Sequence, residues 1–241
     1  MQKSGRTVVV IGCSRGIGLG ILVHLANSPS CKTLVGVARN PDDIVRLRSQ
    51  FADNPKVHIF RADMTSAEQL SQLVKEIVLE GIAPDLLICN AGILTEPRSI
   101  DMIPVQDMMK SLEVNVVGPF NTMQAFLPIM RDVRGAVIAN VSSEWGKFGS
   151  AGQATYCASK HGLEGLVKCA AADVANDKVS IVTVGPGMVV TDMLATAFGG
   201  KENAERLGVP VDKFAGPFCE KVMAITKADS GKHVICSYTG S

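Results

Sequence analysis

Aromatic residues are scarce in this sequence, and neither sign of charge is in excess. They make up 5% of the 241 residues, with a single tryptophan and two tyrosines, and the formal net charge is +1. Basic residues form no stripe with interleaved aromatic side chains, so we expect no nucleic acid as a partner. Because 46% of the residues are hydrophobic and 20% are charged, an intrinsically disordered chain is also excluded.

Paired cysteine spacings and long apolar runs are missing as well. The seven cysteines include no C-x-x-C pair and form no cluster with histidine at zinc-ligand spacing, so we expect neither a disulfide framework nor a metal site. The first apolar run, TVVVIG, is too short for a secretory signal, and no run approaches the roughly 20 apolar residues of a membrane span. These absences predict a cytoplasmic protein with reduced, buried thiols and no membrane contact.

Short β-branched runs alternate with longer amphipathic segments along the chain. Seven runs predict strands, at residues 7–12, 33–38, 56–60, 85–90, 135–142, 179–186 and 232–237. Most are continuously apolar, as in strands whose two faces are both covered by helices. The alternation predicts one α/β domain over residues 1–241, a doubly wound Rossmann fold with a seven-stranded, mostly parallel sheet and helices on both faces.

Two local patterns refine this outline. Ser66 and Gln69 form a capping-box pattern at the start of the third predicted helix. Residues 191–216 interrupt the alternation with glycines, a proline and mixed charge. Because this segment follows the sixth strand, it should lie over the carboxyl ends of the strands, where ligands bind in such sheets. We predict a substrate loop at about residues 191–216.

A glycine-rich turn joins the first strand to the first helix. Its glycines, Gly12, Gly16 and Gly18, would let the backbone approach a ligand closely, and the helix N-terminus offers free N–H groups to a pyrophosphate. The spacing is G-x-x-x-G-x-G rather than the common G-x-G-x-x-G, and glycines also occur in such turns for steric reasons alone. We interpret the turn as a nucleotide site, with a plain turn as the alternative.

The end of the second strand bears on which nucleotide binds. Many NAD-binding proteins place a carboxylate there, but this chain has Arg39. A guanidinium pairs well with a 2′-phosphate, and Arg15 in the glycine turn adds a second positive charge. We predict that NADP(H) is preferred over NAD(H). The alternative is that both arginines are solvated surface residues.

The segment QATYCASKHGLEG places Tyr156 and Lys160 on one helical face, one turn apart. A tyrosine has an ordinary pKa of about 10, and a nearby cation lowers it toward the range in which general acid–base catalysis is efficient. The pair therefore predicts a tyrosine tuned as an acid. A structural phenol beside a surface lysine is the alternative.

Together these motifs resemble the short-chain dehydrogenases/reductases. The matching residues, in the family's order, are Gly12-x-x-x-Gly16-Ile-Gly18, Asn90-Ala91-Gly92, Asn115, Ser142-Ser143, Tyr156-x-x-x-Lys160 and Pro186-Gly187. The similarity covers nearly the whole chain and points to the compact branch of the family. It implies that Tyr156 is the general acid/base, that Lys160 binds the nicotinamide ribose and lowers the tyrosine pKa, that Ser143 orients the substrate carbonyl, and that Asn115 holds a water of the proton relay.

The resemblance also implies a set of cofactor-binding residues. They are Gly12, Ser14, Arg15, Gly16, Ile17, Gly18, Arg39, Asp63, Met64, Asn90, Ala91, Gly92, Tyr156, Lys160, Pro186, Gly187, Val189 and Thr191. One departure is Ile11, which stands where a threonine is more usual and removes a hydroxyl that tethers the turn. We expect this to weaken the turn slightly without abolishing binding.

The function implied by the resemblance is NADPH-dependent reduction of a carbonyl to an alcohol, or the reverse. The expected partners are a small-molecule carbonyl or alcohol and, through the helices that carry Asn115 and Tyr156, further copies of the chain in a homodimer or homotetramer. The alternative is an NADP(H)-sensing binding protein on the same fold, since fold alone does not make an enzyme. The complete catalytic set favours the enzyme, and the apolar residues after Thr191 favour a moderately hydrophobic substrate.

Overall fold

The seven predicted strands form one sheet in the computed structural model, which describes residues 5–237. The strands are β1 (Arg6–Ile11), β2 (Cys31–Ala38), β3 (Val57–Arg61), β4 (Leu86–Cys89), β5 (Val137–Val141), β6 (Ser180–Gly185) and β7 (His233–Ile235). The spatial order is β3-β2-β1-β4-β5-β6-β7, and every neighbouring pair is parallel. The sheet is thus parallel throughout the described residues, and the strand order reverses between β1 and β4. Residues 1–4 and 238–241 lie outside the described residues, so the domain bounds 1–241 stay a prediction.

Helices cover both faces of this sheet, which confirms the predicted fold class. They are α1 (Gly16–Ala26), α2 (Pro41–Gln50), α3 (Ala67–Leu79), α4 (Val105–Leu112), α5 (Gly118–Met130), α6 (Ala154–Asp173), α7 (Asp192–Phe198), α8 (Lys201–Leu207) and α9 (Val211–Met223). Side chains of β1 alternate between two apolar cores: Val8 and Val10 face α1, α2 and α9, whereas Val9 and Ile11 face α3, α5 and α6. The strand sequences are continuously apolar because both faces of the sheet are buried.

Helices α4 and α5 are continuous with each other through a π turn at Glu113–Val117. A π turn holds an extra residue in the helical backbone and is often found at functional sites. Here the extra residue falls in the stretch that contains Asn115, whose side chain is fully buried. The turn therefore marks the stretch around Asn115 as a candidate functional region.

The segment predicted as a substrate loop, at about residues 191–216, is largely helical, and its contact with substrate stays a prediction. The Thr191 hydroxyl accepts a hydrogen bond from the Leu194 N–H (3.2 Å) and starts helix α7, which ends at Gly199, where φ is +76°. Helix α8 follows, and a parallel bridge between Val189 and Val209 closes the base of the excursion. Side-chain capping and paired backbone groups thus order a segment whose composition suggests only a loop.

The capping box predicted at Ser66 is half formed. The Ser66 hydroxyl accepts from the Gln69 N–H (3.3 Å), as predicted, but the Gln69 side chain accepts from the Asp63 N–H (3.0 Å) rather than from Ser66. The start of α3 is thereby tied to the segment after β3. Among residues 5–237, no helix is both long and apolar enough to cross a membrane.

Candidate active site

The predicted site residues gather at the carboxyl edge of the sheet. Because all seven strands are parallel, the segments that follow β1 to β6 all emerge on this side, at and around the reversal of strand order. The segments after the first five strands, β1 to β5, carry Gly12, Arg39, Asp63, Asn90 and Ser143, in that order. The Pro186-Gly187 pair follows β6. One edge thus receives residues that lie more than 170 positions apart in sequence.

The glycine turn is shaped to leave room for a ligand against its backbone. Gly12 and Gly16 have positive φ values (+84° and +54°), which favour glycine. A Cβ on Gly18 would overlap the Gly12 carbonyl and lie 2.6 Å from the Asn90 side-chain nitrogen. The Asn90 side chain donates to the Gly12 carbonyl (2.8 Å), and this hydrogen bond joins the turn after β1 to the turn after β4. This cradle at the N-terminus of α1 fits a pyrophosphate.

Exposed arginines surround the cradle. Arg15 is exposed at the start of α1, and the Arg39 side chain, 65% exposed, forms an ion pair with Asp63 at 3.4 Å. Burial acts to raise the pKa of Asp63, but hydrogen bonds from Thr65 and the charge of Arg39 outweigh it, and the pKa is lowered. Both predicted arginines are therefore accessible to an anion.

Arg46 is a third arginine here, and the sequence reasoning missed it. It lies on α2, pairs with Asp43 (3.0 Å) and donates to the Ser14 carbonyl in the glycine turn (2.6 Å). Arg46 lies on the helix that follows Arg39 and belongs to no sequence motif. The signal that could have identified it is the helical phase of α2, which can be counted from the turn after β2.

The remaining predicted cofactor residues line the same edge. Ile17 packs on the core under the glycine turn, Ala91 lies against Gly12, and Met64 contacts Gly118 of α5. Gly187 has φ +71°, and the Thr191 methyl lies 3.3 Å from the point that a Cβ on Gly16 would occupy. The segment after β6, including Val189, therefore closes over the glycine turn from the other side.

Asn115 is held by the turn after β4. Its side-chain oxygen accepts from the Ile93 N–H (2.9 Å), and its side-chain nitrogen donates to the Ile93 carbonyl (2.8 Å) and the Ser159 hydroxyl (3.0 Å). The position that a Cβ on Gly92 would occupy lies 3.2 Å from the Asn115 oxygen and 3.8 Å from the Lys160 ammonium nitrogen. The turn after β4, the π turn and α6 thus meet at one point.

Tyr156 and Lys160 are both buried on the inner face of α6, with exposures of 8% and 4%. The Lys160 ammonium lies 5.4 Å from the centre of the tyrosine ring and donates to the Val141 carbonyl (2.9 Å). This confirms that they share one helical face, and it removes the reading of Lys160 as a surface lysine. Burial lowers the pKa of Lys160 to about 8.

The predicted direction of the tyrosine shift is wrong for this structure. Burial raises the pKa of Tyr156 to about 12, and a hydrogen bond from Ser143 opposes this only in part. Desolvation is the largest effect on this phenol, and the Lys160 ammonium donates its hydrogen bond to the Val141 carbonyl. Tyr156 is therefore a phenol that firmly keeps its proton.

Ser143, rather than Ser142, faces the site. The Ser143 side chain lowers the pKa of the Tyr156 phenol and accepts from the Trp145 N–H (3.2 Å). The Ser142 hydroxyl is buried and acts instead on the carboxylate of Glu164. Trp145 packs edge-on against Tyr156, with 5.9 Å between ring centres. Its ring also packs, tilted, against Phe198 of α7 at the same distance. Helix α7 thus completes an aromatic wall beside the phenol.

Cysteines do not take part in this arrangement. Burial raises the pKa of Cys13 in the glycine turn to about 12, which leaves its thiol protonated and unreactive. Cys157, next to Tyr156, is also buried, and all seven cysteines are unpaired. Within residues 5–237, no three histidine, cysteine or acidic side chains are grouped as metal ligands would be.

A comparison with known families matches residues 6–202 to the short chain dehydrogenase family. This match spans most of the chain and includes every motif of the site. The chain is a short-chain dehydrogenase/reductase. The resemblance inferred from the motifs is thereby confirmed, as is the prediction of an oxidoreductase that acts on carbonyl and alcohol groups.

Individual relatives of this short-chain dehydrogenase/reductase span almost its full length. It is 29% identical to the NADPH-dependent pterin aldehyde reductase of Arabidopsis thaliana, over 95% of this chain and 92% of the relative. It is 31% identical to a 3-oxoacyl-[acyl-carrier-protein] reductase of Vibrio cholerae, over 90% and 87% of the two chains. Among solved structures, the NADPH-bound carbonyl reductase from chicken fatty liver is 27% identical, with a TM-score of 0.82 over 96% of both chains.

Proposed function

We propose that this chain uses NADPH to reduce a carbonyl group on a small molecule to an alcohol, or catalyses the reverse reaction, with Tyr156 as general acid/base. NADP(H) as the cofactor is supported by the exposed arginines around the glycine cradle. It is further supported by relatives whose names specify NADPH and by the NADPH-bound chicken structure. When bound, NADPH supplies the hydride. Residues Gly12 to Gly18 would hold its phosphates, with Arg15, Arg39 and Arg46 beside the 2′-phosphate.

The chain's own residues provide the proton and stabilise the developing charge. A carbonyl oxygen that gains negative charge needs hydrogen-bond donors, and the hydroxyls of Tyr156 and Ser143 are adjacent donors in a buried site. The raised pKa keeps the phenol protonated until it donates. Once the proton has left, the Lys160 ammonium stabilises the phenolate on the same helical face. Asn115 fixes the turn after β4 against this group through both side-chain atoms.

The single observation that carries this proposal is the buried Tyr156–Lys160 pair. Burying a lysine opposes folding, because the ammonium loses its hydration. An NADP(H)-sensing protein, the second candidate, would need the glycine cradle and the arginines but has no use for a buried acid and cation. The burial therefore favours catalysis over sensing.

The test is NADPH oxidation by the purified protein against a panel of aldehydes, ketones, diketones and quinones. Flat, moderately hydrophobic carbonyls should be the best substrates, because Trp145 and Phe198 form an aromatic wall beside Tyr156. Tyr156→Phe should lower turnover on the order of 10²–10⁴-fold, the usual contribution of a general acid, and leave the Kd for NADPH nearly unchanged. If no carbonyl is reduced while NADPH binds tightly, the sensing function is supported instead.

We also propose that the chain is cytoplasmic and forms a homodimer or homotetramer. All seven cysteines are unpaired, which suits a reducing compartment. The outer side of the helix that carries Asn115 exposes Val105, Met109, Val117 and Phe120, each by 44% or more. Exposed apolar side chains along one helix are typical of a subunit interface. Native mass spectrometry at micromolar concentration should give a dimer or tetramer mass, and a monomer would contradict the assembly.

A further inference from the structure

A buried polar cluster lies beneath the catalytic helix, one turn beyond Lys160. Glu164 on α6 is 7% exposed, and its carboxylate accepts from the Thr183 hydroxyl on β6 (2.8 Å). Its other oxygen lies 2.8 Å from Nδ1 of His233, on β7, and that nitrogen is also 3.1 Å from the Thr183 hydroxyl. Polar groups at this depth are costly unless they are hydrogen-bonded, and Glu164, Thr183 and Nδ1 of His233 satisfy one another.

The same histidine reaches the turn that carries the catalytic serine. Nε2 of His233 lies 3.4 Å from the carboxylate of Glu144, the residue that directly follows Ser143. Gly185 makes room for this ring, because a Cβ there would lie 2.5 Å from Nε2. The imidazole therefore stands between two carboxylates, one under the catalytic helix and one next to Ser143.

Glu164 is also the acidic group that acts on Lys160. Burial lowers the pKa of Lys160, and the negative charge of Glu164 opposes this effect. Among the described residues, no carboxylate lies within 4 Å of the ammonium, so the influence comes through the interior over one helical turn. Burial would raise the pKa of Glu164 itself, but His233, Ser142 and Thr183 outweigh it, and the pKa of this carboxyl is lowered.

We propose that Glu164, held by Thr183 and His233 one helical turn from Lys160, is a positioning residue that balances the charge of Lys160 and couples the catalytic helix to the Ser143 turn. The proposal rests on the proposed reductase function, since a phenolate left by proton donation needs a cation beside it. The titratable groups around this cluster are Tyr156 and Lys160 on α6, Glu144 and Lys147 on the turn after β5, and His233 on β7. None of these groups can take over the role of the Glu164 carboxylate, one helical turn from Lys160.

The first test is the pH dependence of kcat for Glu164→Gln, which keeps the shape of the side chain and removes its charge. Without the carboxylate, the ammonium is less favoured, so Lys160 should lose its proton at lower pH. The alkaline limb of the profile should move down by about one pH unit, so that activity falls about fivefold at pH 8 and about tenfold well above it, while KM for NADPH stays unchanged. Thr183→Val, which removes one hydrogen bond to the carboxylate in a nearly isosteric side chain, should move the limb in the same direction by less.

The chain offers a matched control in an exposed glutamate–histidine pair. Glu80 lies 3.1 Å from Nδ1 of His58, but the two side chains are 46% and 33% exposed and far from the site in the fold. Glu80→Gln makes the same chemical change and should leave the profile in place. Profiles of Glu164→Gln and Thr183→Val that both superimpose on the wild type would overturn the proposal.

A second readout separates this proposal from the reductase function. The titration of Lys160 can be followed by NMR in protein labelled with ¹³C-lysine, using Lys160→Met to assign the signal, and it requires no turnover. A lower midpoint in Glu164→Gln supports the positioning role even if no substrate is found, and an unchanged midpoint counts against it. Wild-type protein that reduces no carbonyl would count against the proposed function alone.

Discussion

The cofactor side and the catalytic side of this site use polar groups in opposite ways. Around the glycine cradle, the charged side chains are exposed, and Arg39 has 65% of its surface in contact with solvent. Around α6, the polar side chains of Asn115, Tyr156 and Lys160 are at most 8% exposed. Exposed charges are screened by water and salt, whereas buried ones act strongly and must be fully matched. Cofactor preference should therefore change gradually on mutation, and catalysis abruptly.

The largest effect is expected at Lys160. Lys160→Met should lower turnover on the order of 10³-fold, because the phenolate of Tyr156 loses its cation. The same change should stabilise the protein at pH 7, since a lysine whose folded pKa is about 8 is held charged against the cost of burial. That penalty is on the order of 3 kcal/mol. Urea unfolding without cofactor measures it.

The pH dependence of that difference has a definite sign. Between about pH 8 and the ordinary lysine value near 10.5, the unfolded state binds more protons than the folded state. The wild type should therefore become more stable relative to Lys160→Met as the pH rises through this window. The advantage of the variant is thus greatest below pH 8. A variant that is less stable than the wild type at pH 7 would show that the hydrogen bond to Val141 matters more than desolvation.

The next effect concerns the backbone of the cofactor side. Gly18→Ala should raise the Kd for NADPH roughly 100-fold (about 3 kcal/mol), because the added methyl group overlaps the Gly12 carbonyl and displaces the turn. Gly165→Ala, at a helical glycine with no atom within 4 Å of the added carbon, is the matched control. Fluorescence titration with NADPH compares them. Equal affinities would mean that the turn tolerates a side chain and is no cradle.

The smallest effect is expected at the exposed arginines. Arg39→Gln should raise the Kd for NADPH about tenfold and leave that for NADH nearly unchanged, since only NADPH carries the 2′-phosphate. The difference should shrink as salt is added, because Arg39 is largely solvated. Titration with both cofactors at two ionic strengths tests this. Equal losses for NADPH and NADH would assign Arg39 to structure rather than to selection.

The sequence predicts most of this arrangement where the signal is local. The strands follow from continuous apolar runs, and the Tyr156–Lys160 face follows from a four-residue spacing. The direction of the Tyr156 pKa could not be predicted, because it depends on how deeply α6 is buried and where the Lys160 ammonium points. Spacing gives neither quantity.

Contacts between distant segments were equally inaccessible. Glu164 and His233 are separated by 69 residues, and no motif connects them. Gly185, at the end of β6, has a physical explanation only once His233 is seen against it. Helices α7 and α8 also escaped prediction, because a capping threonine and a bridge between Val189 and Val209 decide their formation.

The π turn at Glu113–Val117 has a genetic consequence. It gives the helix from Val105 to Met130 one residue more than a regular α-helix of the same shape would hold. Loss of a single codon in this stretch would restore ordinary helical winding with both flanking segments in place, and the side chains of the turn itself would change direction. Asn115 would then no longer meet Ile93. A gene for this protein should therefore accept many single-base changes along the helix while losing function through a one-codon deletion that leaves the reading frame intact.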